Sequence, residues 1–206
     1  MRKFLCILLM LNAFNIIVLA QDRDAEAYPS LTFGAEWSFV ASVQSGFHHN
    51  FFSPEGYRVN LEGNTFRYKR DSDAYVHIGW NIDGSWNLAI YAGYASVDEV
   101  IKILPVSLRA TRFFGNNPMA DRWFTFIDLG SGLTLKRPLQ EILAGKLGFG
   151  YRISLSRDTK LDFHLAARMT YTHKNIIYDN TMIPFDKINR NNIYVGAVSA
   201  GMAVVF

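Results

Sequence analysis

The chain has 206 residues, with 21 Lys and Arg against 18 Asp and Glu, a formal net charge of +3, and one cysteine. The cysteine and most of the excess charge belong to the first 20 residues: beyond Ala20 the bases number 19, the net charge is +1 and no thiol remains. That excludes disulfides, thiol nucleophiles and Cys-ligated metals from the rest of the chain, and it removes the main electrostatic argument for nucleic-acid binding.

In chain order, Met1, Arg2 and Lys3 form a basic start to the apolar run from Phe4 to Ala20. Small side chains at Val18 and Ala20 then precede the polar stretch "QDRDAEAYPS". This is the pattern of a secretory signal peptide over residues 1–20, followed by a short periplasmic segment over 21–30. Asn12 and Asn15 interrupt the run, which is short for a spanning helix. Cys6 lies at the start of the run, which argues against a lipid-modified terminus.

From residue 31 onward the chain alternates apolar and polar positions, the period of β-strands. Eight such runs are expected: 31–44, 74–82, 86–95, 103–114, 122–135, 142–155, 160–173 and 192–206. Short turns are expected after the second, fourth and sixth runs, with Gly84 of "DGS" as a left-handed hairpin residue. Longer segments, notably 45–73 and 174–191, join the others. Short turns at one end and long loops at the other describe an up-and-down meander.

The two faces of these strands are unusual. In the seventh run Leu161, Phe163, Leu165 and Met169 oppose Asp162, His164, Arg168 and Thr170. In the sixth, Leu143, Leu147, Phe149 and Tyr151 oppose Lys146, Gly148, Gly150 and Arg152, the two glycines being expected to leave room for the long cations beside them. A soluble barrel would turn its large apolar side chains inward and coat its surface with the small ones. The reverse arrangement fits a transmembrane barrel, with aliphatic side chains toward lipid and a narrow interior of small residues and paired charges. An open sheet in lipid would leave backbone groups unsatisfied, so the fold class expected is a closed, all-β, eight-stranded antiparallel transmembrane barrel over 31–206. An even strand number places both ends of the meander on one side, the periplasm, with the long loops outside.

Trp80, Trp86 and Trp123 lie beside the short turns, and Tyr94, Tyr171 and Tyr194 near the opposite strand ends, as two aromatic girdles. The expected lumen charges are Glu36, Arg109, Asp128, Lys146, Arg152, Asp162, His164 and Arg168, with His77 beside them. Strand register places Arg109 opposite Asp128. In the following hairpin it places Gly148 opposite Arg168 and Arg152 opposite His164, with Asp162 one diagonal away. Eight strands leave an interior just wide enough to be filled by side chains, so a plugged lumen is expected rather than an open pore.

No spacing enforces a catalytic or metal constellation. His77, His164, Asp128 and nearby serines have the residue types of a hydrolase triad, but a plugging role accounts for them equally. The adjacent His48 and His49 point apart in a strand and lack an acidic neighbour, so neither a metal nor another cofactor is expected. The first long segment, 45–73, reads as a loop that could also continue as a hairpin beyond the membrane; in it Phe66, Arg67, Tyr68, Lys69 and Arg70 join cations to aromatics, a surface suited to anionic lipopolysaccharide or a partner protein. The extracellular ligand itself is not specified.

The apolar start, "FGAEWSFVAS" at 33–42, "YAGYAS" at 91–96 and the final "GMAVVF" together resemble small eight-stranded outer-membrane barrels of the OmpA/OmpX type, including the outer-membrane β-barrel domain proteins of Bacteroidetes. The resemblance implies the outer membrane of a Gram-negative bacterium, contact with its lipid, and insertion by the barrel-assembly machinery. It further implies that Phe206, Val204 and Met202 form the signal this machinery reads. It specifies architecture rather than activity. A non-enzymatic barrel working through its loops is the first expectation, with a lipid-modifying barrel enzyme or a narrow solute channel as alternatives.

Overall fold

The computed structural model describes residues 29–98, 101–115, 120–135, 141–156, 158–173, 176–179 and 181–206. The expected signal peptide and residues 21–28 lie outside the described residues.

The strands are β1 (Leu31–Phe52), β2 (Arg58–Asn81), β3 (Trp86–Asp98), β4 (Ile101–Phe113), β5 (Arg122–Thr134), β6 (Glu141–Ser154), β7 (Lys160–Thr172), β8 (Ile177–Tyr178), β9 (Thr181–Met182) and β10 (Ile188–Val205). Eight of them close an antiparallel barrel in the order β1-β10-β7-β6-β5-β4-β3-β2, and β8 and β9 form a separate two-stranded ribbon. The barrel closes where Gly34 to Ser42 of β1 pair with Val205 to Ala197 of β10. Reciprocal backbone bonds between Phe33 and Phe206, at 3.0 and 2.8 Å, finish this seam.

Side-chain alternation follows the expected parity. Along β1, Phe33, Trp37 and Phe39 are exposed while Glu36, Ser38 and Val40 are buried. Along β10 and the residue after it, Val198, Met202 and Phe206 are exposed, while Ala197, Ser199, Ala203 and Val205 are buried.

Four details differ from the expectations. First, of the two readings of residues 45–73 the hairpin holds and the loop does not: β1 runs on to Phe52 and β2 starts at Arg58, and together they extend past the other strands. Between Phe66 and Lys69, β2 carries one residue more than the facing stretch of β1, a bulge in the hairpin's wall. Second, the turn at 82–85 does not use Gly84 as its left-handed residue; positive φ among the described glycines occurs at Gly56 and Gly115. Asp83 shapes that turn instead, its carboxylate accepting the amides of Ser85 (2.6 Å) and Trp86 (2.8 Å).

Third, β6 and β7 pair two residues tighter than expected. Gly148 faces Ala166, Gly150 faces His164 and Arg152 faces Asp162 directly, because Leu155 and Ser156 both donate to Thr159 O in a short turn. Fourth, Gly148 and Gly150 make room for aromatic rings rather than for the long cations beside them. A Cβ at Gly148 would strike the ring of Phe126, and one at Gly150 the ring of Phe124.

The lumen is therefore filled in layers. Phe113, Phe124, Phe126 and Ala166 pack the end nearest the short turns. Tyr75, Val97, Ile103 and Ile142 pack the other end. Ionised side chains occupy the middle, and two cavities of about 20 Å³ each are lined by these groups. That is room for about one water apiece.

Candidate functional site

The central charges are held by the barrel wall itself, since each stands at an inward position of a different strand or turn of register. Arg109 of β4 lies opposite Asp128 of β5, as the hairpin register predicted. Its Nε and Nη2 donate to Asp128 Oδ2 at 3.0 and 2.9 Å. Its Nη1 and Nη2 donate to Glu36 at 2.5 and 3.2 Å across the lumen. The guanidinium also lies 3.9 Å from the Tyr91 ring centre and 4.3 Å from that of Phe126. Paired carboxylates satisfy its donors in plane and π-faces flank it, the environment a buried guanidinium needs.

Arg152 and Asp162 form a second bidentate pair, at 2.6 and 2.7 Å. The third cluster centres on Asp73, a residue absent from the expected set. Arg168 donates to its Oδ2 at 2.6 Å, and Lys146 Nζ lies 3.9 Å from the same oxygen. Asp73 and Arg168 also take the backbone amide (3.2 Å) and carbonyl (2.8 Å) of Ser96. These bonds fasten β3 to the wall above the last β2–β3 pair, Ala74 with Tyr94. Nearby, Lys102 bridges Asp71 (3.2 Å) and Ser96 Oγ (2.7 Å).

With Asp73 included, Glu36, Asp73, Asp128 and Asp162 face Arg109, Lys146, Arg152 and Arg168, all of them buried, while the buried Arg122 and Lys160 nearer the short turns donate to the carbonyls of Gly84 and Ser156, each at 2.6 Å. An unpaired charge here would cost several kcal/mol, so a partner for each ion is a condition of its burial. His164 approaches Ser38 Oγ at 3.3 Å and Glu36 Oε1 at 3.6 Å, both through Nε2. A hydrolytic triad needs its acid on the other ring nitrogen, so serine and carboxylate here share one position instead of forming a relay. Among the described residues, no group of three His, Cys, Asp or Glu is placed to hold a metal ion. His48 instead bonds Asn60 at 3.0 Å, and His49 stacks on Phe47.

The outer wall is the chemical opposite. Leu129, Leu143, Leu147, Phe149, Leu165 and Met169 project outward from β5, β6 and β7, each about half exposed or more. In water that surface would be unstable; against acyl chains it is complementary. The chain is an inside-out β-barrel, the architecture of outer-membrane proteins.

No family model and no curated protein matches the sequence. Similar solved structures include Neisserial surface protein A, at 12% identity with a TM-score of 0.48 over 87% of this chain and 99% of that one. The outer membrane protein OprG from Pseudomonas aeruginosa is 12% identical with a TM-score of 0.49, over 89% of this chain and 99% of that one. The outer membrane protein AlkL, in lipid bilayers, is 12% identical with a TM-score of 0.49, over 89% and 93%. Such distant matches carry no residue role across; the architecture rests on the closed barrel and its inverted faces.

Of the expected girdle, Trp86, Trp123 and Tyr94 are exposed, while Trp80, Tyr171 and Tyr194 are half-buried. Trp123 packs edge-on against Tyr151, and Tyr171 donates to Asn192 at 2.6 Å.

Beyond the barrel rim, the β1–β2 hairpin has a core of its own. Phe51 and Val59 from its tip bury against Ile176 and Ile183, which flank the β8–β9 ribbon, with Tyr178 and Ile188 packed around them. The Tyr57 and Tyr178 hydroxyls meet at 3.2 Å, and this bond pushes the half-buried Tyr178 phenol above the usual tyrosine range. Lower on the same hairpin, Phe66 is 73% exposed and Tyr68 is exposed beside it. The Arg70 guanidinium lies 5.4 Å from the Tyr68 ring centre and Lys69 is half-buried, with Arg67 in the strand between Phe66 and Tyr68. The expected loop cluster is thus a rigid strand surface. The small outer core was missed because Phe51, Val59, Ile176 and Ile183 fall in segments read as loops; the alternating "GFHHNFF" was its available signal.

Proposed function

We propose that this protein is a non-enzymatic integral barrel of a Gram-negative outer membrane, exported through the periplasm behind the signal peptide at 1–20. Its lumen is plugged by side chains, and its working part is the rigid β1–β2 hairpin outside the bilayer. The observation that carries this reading is the hairpin's independent core of Phe51, Val59, Ile176 and Ile183, which a bare connection between strands would not need. Trp80, Trp86 and Trp123 mark the periplasmic headgroup level, and Tyr94, Tyr171 and Tyr194 the outer one. Phe206, Val204 and Met202 serve insertion as the strand that the barrel-assembly machinery receives.

The partner of the hairpin's base is anionic lipopolysaccharide, met by Lys69 and Arg70 with Phe66 and Tyr68 beside them. The test is binding of purified lipopolysaccharide to the refolded protein. A Lys69→Gln/Arg70→Gln variant should bind several-fold more weakly, with a flatter salt dependence, since surface charge contacts such as the exposed Arg70 and the half-buried Lys69 supply about 0.2–1 kcal/mol each. Undiminished binding overturns the assignment of this surface. Planar-bilayer recordings should show no single-channel conductance; a reproducible conductance would instead support the narrow-channel reading.

A further inference from the structure

On the outward wall lies a groove of about 600 Å³, lined chiefly by apolar side chains from β1, β2, β5, β6, β7 and β10. It follows from the register. One row of neighbours across the sheet runs Phe66, Gln44, Gly196, Met169 and Gly145, from β2 through β1, β10 and β7 to β6. The next runs Arg70, Ala41, Val198, Ala167 and Leu147 over the same strands. Gly196, Gly145 and Ala167 leave the floor low, while Leu147, Met169 and Val198, all exposed, stand as its walls. Both rows end on β2, one at the exposed ring of Phe66 and the other at the exposed guanidinium of Arg70.

A low floor among lipid-facing side chains accepts an acyl chain. A cation and an exposed ring at one end, above the apolar belt, accept what such a chain is attached to. We infer that this groove is a binding site for one anionic lipid of the surrounding leaflet, its chain lying along the Gly145–Ala167–Gly196 floor and its phosphate on Arg70. The site deepens the proposed contact of Arg70 with anionic lipid and rests on that reading. It adds a selective apolar half that a headgroup contact alone would not have.

Gly145 permits a clean test, because a Cβ there meets nothing nearer than Leu129 Cδ2 at 3.4 Å. A side chain at this position fills the groove without straining the wall. The full barrel, released from detergent, would be examined by native mass spectrometry with equimolar dimyristoyl phosphatidylglycerol and dimyristoyl phosphatidylcholine. The wild type should retain one phosphatidylglycerol in preference to phosphatidylcholine by about threefold, the scale of one exposed charge contact. Arg70→Gln should bring that ratio to unity. Gly145→Leu should lower retention of both lipids while leaving the ratio intact, and Ala167→Leu should do the same should the first variant fail to fold.

Unchanged retention in a folded Gly145→Leu barrel overturns the groove while leaving the headgroup reading standing. Equal retention of the two lipids by the wild type overturns both. Glycerol phosphate that displaces the retained lipid completely at equimolar concentration also overturns the groove, because the chain would then contribute nothing.

Discussion

At the scale of single residues, Arg109 is the most heavily bonded side chain of the lumen. It joins Glu36 and Asp128, and through them β1, β4 and β5. Removing it alone strands two buried carboxylates, whereas removing all three charges leaves none. Arg109→Met should therefore destabilise the barrel by about 3–5 kcal/mol, and adding Glu36→Gln and Asp128→Asn should restore most of that loss. Thermal unfolding in detergent measures the set, and strict additivity of the three effects would refute the network. Asp73 shows why one member escaped the sequence reading. Asp71, Ser72 and Asp73 look like a polar loop, yet the inward parity of Tyr75 and His77, carried back one step, lands on Asp73. Phe124 and Phe126 share a parity with Asp128 in the same way, so the aromatic packing of the lumen was also implicit in the alternation.

At the scale of elements, alternation settled which face each strand turns inward but not how the strands slide past one another. A slip of two residues leaves every side chain on its own face, so the β6–β7 register had no trace in the pattern. The short turn closing on Thr159 decided it, converting an expected diagonal between Arg152 and Asp162 into a direct pair. Along the hairpin the apolar alternation is interrupted at Gly46, Gly56 and Gly63, which fall within or at the tip of paired strands, so its length has little trace in the pattern. Its outer core can be uncoupled from the barrel. Phe51→Ala removes a fully buried ring, a change worth about 3–5 kcal/mol in a well-packed site. The expected outcome is rapid proteolysis near 53–57 while the membrane-embedded fragment keeps its folded mobility on an unheated gel. Resistance equal to the wild type would mean that the hairpin is held by something other than this core.

At the scale of the whole molecule, inverted polarity was the part most legible in advance. Leu and Phe on one face, with Lys, Arg and Gly on the other, admit one stable arrangement in lipid. Membrane-extracted protein should accordingly migrate differently before and after boiling, and a single unshifted band would contradict the closed barrel. The seam between β1 and β10 has a further consequence, for the time course of assembly. It joins Gly34 to Val205, about 170 positions apart, whereas most other barrel pairs are neighbouring hairpins. Local hairpins form readily, but this pairing must wait until the rest of the wall has brought its two edges together. Phe33, stacked on Phe206 at 5.4 Å between ring centres, stands at the end of that joint. Phe33→Ala should thus slow the final, rate-limiting phase of refolding into vesicles, and Phe51→Ala should leave that phase untouched. The last contact to form would then be the clock for the whole process, set by two rings that have no part in what the finished surface binds.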